Sequence, residues 1–420
     1  MRLCIILLCC LFVQPLFAAD WPRFRGPNGG ASSTDPNLPL KWSGFQWRTE
    51  LPGPGSSSPV VLGERIFLTY FSGYGVDPDN PGDHKDLRLH VLCLNRQDGN
   101  MIWERSTPAS SNEQKFSKRV ADHGYATPTA ACDESGVYAY FGVSGVVAYD
   151  LQGKLKWRFE QTGEKTAGFG NAASPVIYKN LVLVNASIES GTLFALDKNT
   201  GKEVWRAENI QRSWSTPTIA ASLDGKDELI MNQKEAIYGF DPLSGEKLWT
   251  CRGIQDYVVP CVVVDQGIAY CLGGRSNRAI AVKLGGRGDV TETHKLWEKH
   301  IGANVTSPVY WKGHLYWASD KGIANCLRAE DGEIVYRERL PVRGRIYASI
   351  IIGDGKIYCT TRDQGVIVLK AAPDYQLLAQ NVFDGDENLF NASPAISRGQ
   401  LLFRNHQYLY CIGNKADSGK

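Results

Sequence analysis

The sequence repeats itself, and that repeat constrains its fold more than any other feature. The stretch LFALDKNTGKEVW (193–205) returns as IYGFDPLSGEKLW (237–249) and, more loosely, as VLCLNRQDGNMIW (91–103) and VVAYDLQGKLKW (146–157). IANCLRAEDGEIVY (323–336) and VIVLKAAPDYQLL (366–378) keep the spacing, with Tyr336 and Leu378 at the Trp position. AIAVKLGGRGDVTETHKLW (279–297) is the same unit with a longer turn. A second signature, a Pro among small and β-branched residues, precedes the copies at Pro59, Pro128, Pro175, Pro217, Pro260, Pro308 and Pro394, with Ile350 in its place once. After a first interval of 69 residues, stretched by insertions near 71–89 and 104–124, these positions recur every 42 to 48.

Each unit reads as strand, short turn, strand, loop, strand, Gly turn, strand, as in SPVIYKNLVLVNAS (174–187) with its Lys-Asn turn. Four strands per unit of this length is the signature of a propeller blade. Eight inner-strand signatures predict an all-β, eight-bladed propeller of four-stranded antiparallel blades over 45–413. The last unit supplies three strands before a polar tail at 414–420, and FQWRTE (45–50) matches VWRAE (204–208). That N-terminal strand is expected to complete the last blade and close the ring, leaving no free edge at the seam. Trp47, Trp103, Trp157, Trp205, Trp249 and Trp297 share one blade position and are expected to pack between blades. Composition agrees: 43 Gly and 10% aromatics suit short strands and tight turns.

A formal net charge of +2 gives no electrostatic reason to expect nucleic acid or a membrane surface as partner. Residues 1–19 have the plan of a secretory signal: Arg2, a short apolar run, then small residues at Ala18–Ala19. The expectation is an exported protein of the periplasm or cell envelope, monomeric and not membrane-spanning. Eight cysteines follow the signal, none in a CxxC. Cys93, Cys326 and Cys411 align with Ala195, a small core site. Cys261 and Cys271 are read as facing each other across a hairpin, with a disulfide left open.

The unit A-x-D-x-x-T-G-x-x-x-W, clearest at Ala195, Asp197, Thr200, Gly201 and Trp205, resembles the tryptophan-docking repeat of quinoprotein-like (PQQ-like) propellers. That superfamily holds the pyrroloquinoline quinone (PQQ) dehydrogenases and non-catalytic propellers such as the assembly factor BamB. WPRFRGPNGG (21–30) looks like the start of many exported PQQ-like propellers of planctomycete-type bacteria. The resemblance implies that a catalytic member would stack PQQ on a ring of adjacent cysteines beside calcium. The only Cys-Cys here is Cys9–Cys10, inside the signal. No cofactor is therefore expected, with PQQ and calcium as the alternative.

Other chemistry is not signalled: the histidines lack metal-ligand spacing, and no nucleophile elbow or phosphate loop occurs. Asp77, Asp79 and Asp83, in one insertion, form a weak calcium candidate against a plain acidic loop. What remains is a surface. The residues before each inner strand form a candidate rim: Tyr125, Asn171, Trp214, Tyr257, Asn304, Tyr347 and Asn391, with Arg212 and Arg345 nearby. These residue types are favoured at interaction sites. The insertion 110–125 lies above the same end as a lid, a partner arm or a solvated loop. The sequence favours a non-catalytic propeller binding a protein partner or envelope ligand. A PQQ- or other cofactor-dependent oxidoreductase is the alternative, and a carbohydrate-binding propeller the second. WPRFRGPNGG, outside every blade in the segment 20–44, is expected to be a clasp near the seam between the last and first blades, anchored by Trp21, Phe24 and Arg25.

Overall fold

The computed structural model describes residues 20–413; the signal expected at 1–19 and the polar tail expected at 414–420 lie outside the described residues. The chain forms eight blades in a ring, each a four-stranded antiparallel sheet. Blade 1 runs through Val60–Leu62, Arg65–Ser72, Arg88–Asn95 and Met101–Pro108. Blades 2 to 7 follow in chain order, with innermost strands at Ala131–Asp133, Val176–Tyr178, Thr218–Ala221, Val263–Asp265, Val309–Trp311 and Ile351–Gly353. Blade 8 takes Ala395–Ser397, Gln400–Arg404 and Tyr408–Gly413 from the C-terminal end, and Trp47–Glu50 as its outermost strand. Trp47 pairs with Cys411 and Glu50 with Tyr408, so the ring closes through strands from opposite ends of the chain. Helix is confined to single turns such as Lys118–Ala121 and Thr291–His294. Among the described residues no helix is long and apolar enough to cross a membrane.

The repeated Trp shows how one blade grips the next. The indoles of Trp47, Trp103, Trp157, Trp205 and Trp297 donate to backbone oxygens of the following blade, at Arg96, Leu151, Lys198, Pro242 and Ala329, over 2.9–3.2 Å. Each indole lies against the turn glycine of that blade. A Cβ on Gly201 would stand 2.5 Å from Trp157, and its φ of +70° already disfavours any side chain. A small residue sits opposite each Trp on the neighbouring strand, as with Cys93 against Trp103 and Ala195 against Trp205, which is why thiols and alanines interchange there. Trp249 departs from the pattern. Blade 5 has the long turn, which pairs Gly288–Asp289 alongside Trp249–Thr250. The usual docking carbonyl is displaced, and Trp249 donates instead to the buried Glu228 carboxylate at 2.8 Å. In blade 7 the turn between the outer strands is one residue longer than in blade 3, which places Ala379, one residue beyond Leu378, at the Trp position opposite Val368.

The Pro signature has a second meaning, in the hydroxyls beside it. Backbone N–H groups of Ser58, Thr129 and Ser174 donate to the hydroxyls of Thr129, Ser174 and Thr216 in turn. Cys261, Ser307 and Ser349 do the same to Ser307, Ser349 and Ser393. At 2.8–3.0 Å these bonds tie inner-strand starts together from blade 1 through blade 4 and from blade 5 through blade 8, and satisfy donors that no ladder could reach.

The N-terminal segment reaches far beyond the seam. Asp20 accepts from the Gly63 N–H, and Trp21 pairs antiparallel with Val61 on blade 1. The Pro22 carbonyl accepts from Cys132 of blade 2. Arg25, buried, donates to the Gly29 carbonyl at 3.0 Å and to the Pro308 carbonyl where blade 6 begins. Ser32–Ser33 pairs parallel with Ile352–Gly353, adding a fifth strand inside blade 7, and Asp35 accepts from Gly399 of blade 8. Residues 20–35 therefore cross the central channel along its inner strands. The chain then leaves between blades 7 and 8, where Tyr358 donates to the Pro39 carbonyl and Trp42 stacks on Phe403 at 5.7 Å.

The eight described cysteines are buried and free. Register separates the pair expected to face each other. Val263 opposes Tyr270, so Cys271 falls opposite Val262, and Cys261 projects from the other side of the sheet. Cys261 lies beside Arg23 and Arg25 of the channel segment, while Cys271 neighbours Cys251.

Candidate functional site

All inner strands begin at one end of the ring, opposite the turn glycines that hold Asp20 and Asp35, and the candidate rim lies there. The structure sorts it into three groups. On blades 3 to 5 the aromatics are continuous: Phe169 meets Trp214 edge-on at 6.5 Å, and Trp214 meets Tyr257 at 5.7 Å. The Tyr257 hydroxyl donates to Asn304 at 2.8 Å. Three exposed arginines cover this row, Arg119 over Phe169, Arg212 over Trp214 and Arg275 over Tyr257, at 4.9–5.5 Å. Phe169 itself is 43% exposed. Arg119, Phe169 and Arg275 were not among the rim residues read from sequence, because they sit in loops outside the inner-strand signature.

The second group faces blades 7 and 8. Arg345 donates to the Tyr347 hydroxyl at 2.7 Å, and Arg362 stacks on the same ring at 4.8 Å while pairing with Asp122 at 3.3 Å. Asn391 donates to the Asp122 carbonyl and contacts His406 at 3.3 Å. Behind them Arg404 is fully buried without a carboxylate partner. It donates to the Ser57 carbonyl at 2.9 Å, and burial brings its guanidinium down to about 9. Burial also holds His123 and His406 near 4, with Arg404, Arg362 and His123 adding repulsion at His406.

The third group turns inward. Tyr125 packs against Phe71 at 5.3 Å and Tyr74 at 6.0 Å, and Asn171 donates to Glu189 at 2.6 Å. Together with Glu113 they line a small, largely closed cavity between blades 2 and 3. Glu113 accepts from the Ser144 hydroxyl at 2.9 Å. Burial raises both carboxyls to about 7, against the lowering effect of Ser144 on Glu113 and of Asn171 on Glu189.

The insertion 110–125 connects the groups. Gln114 donates to the Gly168 carbonyl at 2.8 Å, and Phe116 N–H donates to the Tyr74 hydroxyl at 2.9 Å. Arg119 covers Phe169, and Asp122 holds Arg362. It is a strap laid from the loop before blade 3 to blades 7 and 8. The weak calcium candidate lies apart. Asp79 N–H donates to Asp77, and Asp83 accepts from Lys85 N–H and pairs with its ammonium at 2.9 Å, so these oxygens serve local turns. No group of three or more His, Cys, Asp or Glu side chains suited to a metal occurs among the described residues.

Eight four-stranded blades, gripped by docking tryptophans and carrying their loops at one channel mouth, define a PQQ-like β-propeller. The family model described as "Outer membrane protein assembly factor BamB" matches residues 86–270 and again 233–374, together more than half of the chain, and the chain belongs to that family. It is similar to polyvinylalcohol dehydrogenase of a Pseudomonas species, 24% identical over 285 residues, covering 57% of this chain and only 40% of the dehydrogenase. It is similar to the outer membrane protein assembly factor BamB of Yersinia pestis, 22% identical over 348 residues, 67% of this chain and 81% of that one. The crystal structure of BamB from Moraxella catarrhalis shares the fold, with a TM-score of 0.61 at 14% identity, covering 89% of this chain and 99% of that one.

Proposed function

We propose that this chain is an exported, non-catalytic propeller that holds a protein partner at the channel mouth. The observation that carries the reading is the row Phe169–Trp214–Tyr257 roofed by Arg119, Arg212 and Arg275. Aromatic and arginine side chains supply most of the binding energy at protein interfaces, and here they are preorganised by mutual stacking. The assembly factors among its relatives support a binding role. The channel supports it too. Its inner strands are occupied by Trp21, Arg25 and Ser32–Ser33. The described cysteines are single, so the residues present do not fit a quinone stacked on a cysteine ring.

The dehydrogenase relative favours a second reading, a cofactor-dependent oxidoreductase. One experiment separates them. The chain is used as bait in envelope extract, with crosslinking at a photoreactive residue placed at the exposed Gln211, alongside PQQ titration with dye-linked alcohol oxidation. A crosslinked partner that disappears in a Phe169→Ser/Arg212→Ala double variant supports the binding role. Saturable PQQ binding with turnover overturns it.

A further inference from the structure

We propose that the central channel binds a small, doubly charged oxyanion of the sulfate or phosphate type, held by Arg23 and Arg25 of the N-terminal segment beside Cys261. The site stands independently of the partner-binding reading. It is built by the channel segment and the starts of blades 5 and 6, not by the aromatic row. The loop that carries the two arginines is folded around them. Arg23 Nε donates to the Pro27 carbonyl at 3.1 Å, and Arg25 Nε to the Gly29 carbonyl at 3.0 Å. The N–H groups of Gly26, Gly29 and Ala31 donate back to the carbonyls of Arg23, Gly26 and Arg25. Arg25 lies at φ +65° and Gly26 at +79°, a left-handed pair that ordinary residues avoid. Gly29 leaves room beside the first guanidinium: a Cβ there would stand 3.4 Å from Arg23 Nη2. The loop thus clips each side chain at Nε. Arg25 Nη2 goes on to the Pro308 carbonyl, where blade 6 begins.

Two observations point to an anion. The first is donors without acceptors. Arg25 is 3% exposed, and its Nη1 is withdrawn from solvent and makes no hydrogen bond. Arg23 engages the protein through Nε alone. A guanidinium presents its N–H donors in a fixed fork and accepts nothing, so only acceptors satisfy it. The second is charge. No Asp or Glu among the described residues acts on either arginine, and the titratable neighbour they share is the Cys261 thiol. The segment's own acids are engaged at the other end of the channel: Asp20 accepts from Gly63 and lies 3.7 Å from Arg398, and Asp35 accepts from Gly399. Burial brings both guanidiniums down only to about 10, so both stay charged at neutral pH. Enclosed charges of one sign without a counter-charge are costly, and native folds pair them. Arg23 keeps some accessible surface, yet burial lowers it as far as Arg25. That combination describes a group facing an enclosed lumen and not open solvent. Pro27 and Asn28 at the loop tip are exposed, which gives an ion a way in.

The chemistry of the donors selects the ligand. Guanidinium forks match the oxygen edges of sulfate, phosphate and carboxylate and bond them in pairs. Two arginines match a charge of two, and the weak S–H donor of Cys261 suits an acceptor. Arg25 is tied to blade 6 through Pro308, while Arg23 is tied only to its own loop, so the ion would fasten the loop to the channel wall.

The test uses the full chain at constant ionic strength in a low-chloride buffer. Sodium sulfate, sodium phosphate and sodium succinate are titrated in turn by calorimetry, and melting is followed with and without each. The expected result is saturation at one equivalent by sulfate or phosphate, weaker binding of succinate, and a rise in Tm of a few degrees with the ion that binds. Arg25→Lys keeps the charge and loses the fork, and Arg23→Gln removes a charge tied only to its own loop. Each should weaken binding by about tenfold or more. Arg337→Gln, exposed on the outer strand of blade 6, should change nothing. Selenate soaked into crystals of the unmutated chain gives a readout free of folding defects, since its anomalous signal should lie beside Arg23, Arg25 and Cys261. No saturable binding, binding that survives both arginine variants or falls with Arg337→Gln, tighter binding of succinate, or selenate found elsewhere would each overturn the site.

Discussion

Replacing Trp21 with alanine tests whether the N-terminal segment belongs to the cooperative fold. Trp21 is 1% exposed, and its ring packs in the largest apolar cluster with Val61, Ile66 and residues of blades 7 and 8. A buried Trp contributes about 150–250 Å² of apolar surface, and Trp→Ala substitutions in cores cost about 3–5 kcal/mol. The backbone bridge to Val61 survives the change, so this cost is from packing alone. Unfolding entropy of about 2.1 cal/mol/K per residue gives roughly 0.9 kcal/mol/K for a chain of 420 residues. A loss of 4 kcal/mol then lowers Tm by about 5 °C, read by calorimetry at fixed pH. Phe24→Ala is the control: Phe24 is half-exposed and should move Tm by about 1 °C or less. A Trp21→Ala variant melting within 1 °C of the parent would show that the segment docks on a ring already complete without it.

Further outcomes follow from the blade contacts and the mouth. Trp157→Phe removes a hydrogen bond to the Lys198 carbonyl and should cost about 1 kcal/mol, whereas Gly201→Ala drives a Cβ into the same indole and should cost about 2 kcal/mol or more in urea unfolding. The pH dependence has opposed parts. His123 and His406, near 4 in the fold, bind protons more readily when unfolded, so their contribution to stability grows as pH rises from about 4 to 6.5. Glu113 and Glu189, near 7, bind protons more readily when folded, so their contribution shrinks as pH rises from about 4.5 to 7. A Glu189→Gln variant should therefore gain on the parent at pH 7 relative to pH 4.5, by up to about 3 kcal/mol, seen as a shift in urea midpoint. The buried, unpaired thiols should react with a thiol reagent only after unfolding, and dithiothreitol should leave Tm unchanged.

The ring and its closing strand were legible because both are periodic: Trp47 occupies the same register as Trp205, and a strand missing at one end matched a spare at the other. The hydroxyls of the Pro signature were equally periodic, and their role as blade-to-blade acceptors could have been read from the same alignment. Three things were not legible, each for a physical reason. The channel path of WPRFRGPNGG depends on backbone carbonyls such as that of Pro308, which leave no mark in residue identity. The inward turn of Tyr125 and Asn171 depends on the strap above them, a non-repeating insertion. The change at Trp249 depends on how a long turn folds back, and length alone does not say which face it covers.

The channel segment also sets an order in time. Residues 20–35 leave the ribosome among the first, yet their partners lie at Val61, Cys132, Pro308, Ile352 and Gly399. The last of these exists only when nearly the whole chain has been made. Contacts between such distant positions cannot form early, because closing so large a loop is costly before other contacts reward it. Trp47–Glu50 waits in the same way for Tyr408–Cys411. Trp21 can meet Val61 early, but Ser32–Ser33 and Trp47–Glu50 stay unpaired until synthesis nears its end, and both are open to mispairing with other chains. The beginning of the sequence is where assembly finishes, and a chain cut short before blade 8 would leave Trp47–Glu50 without its partner strand.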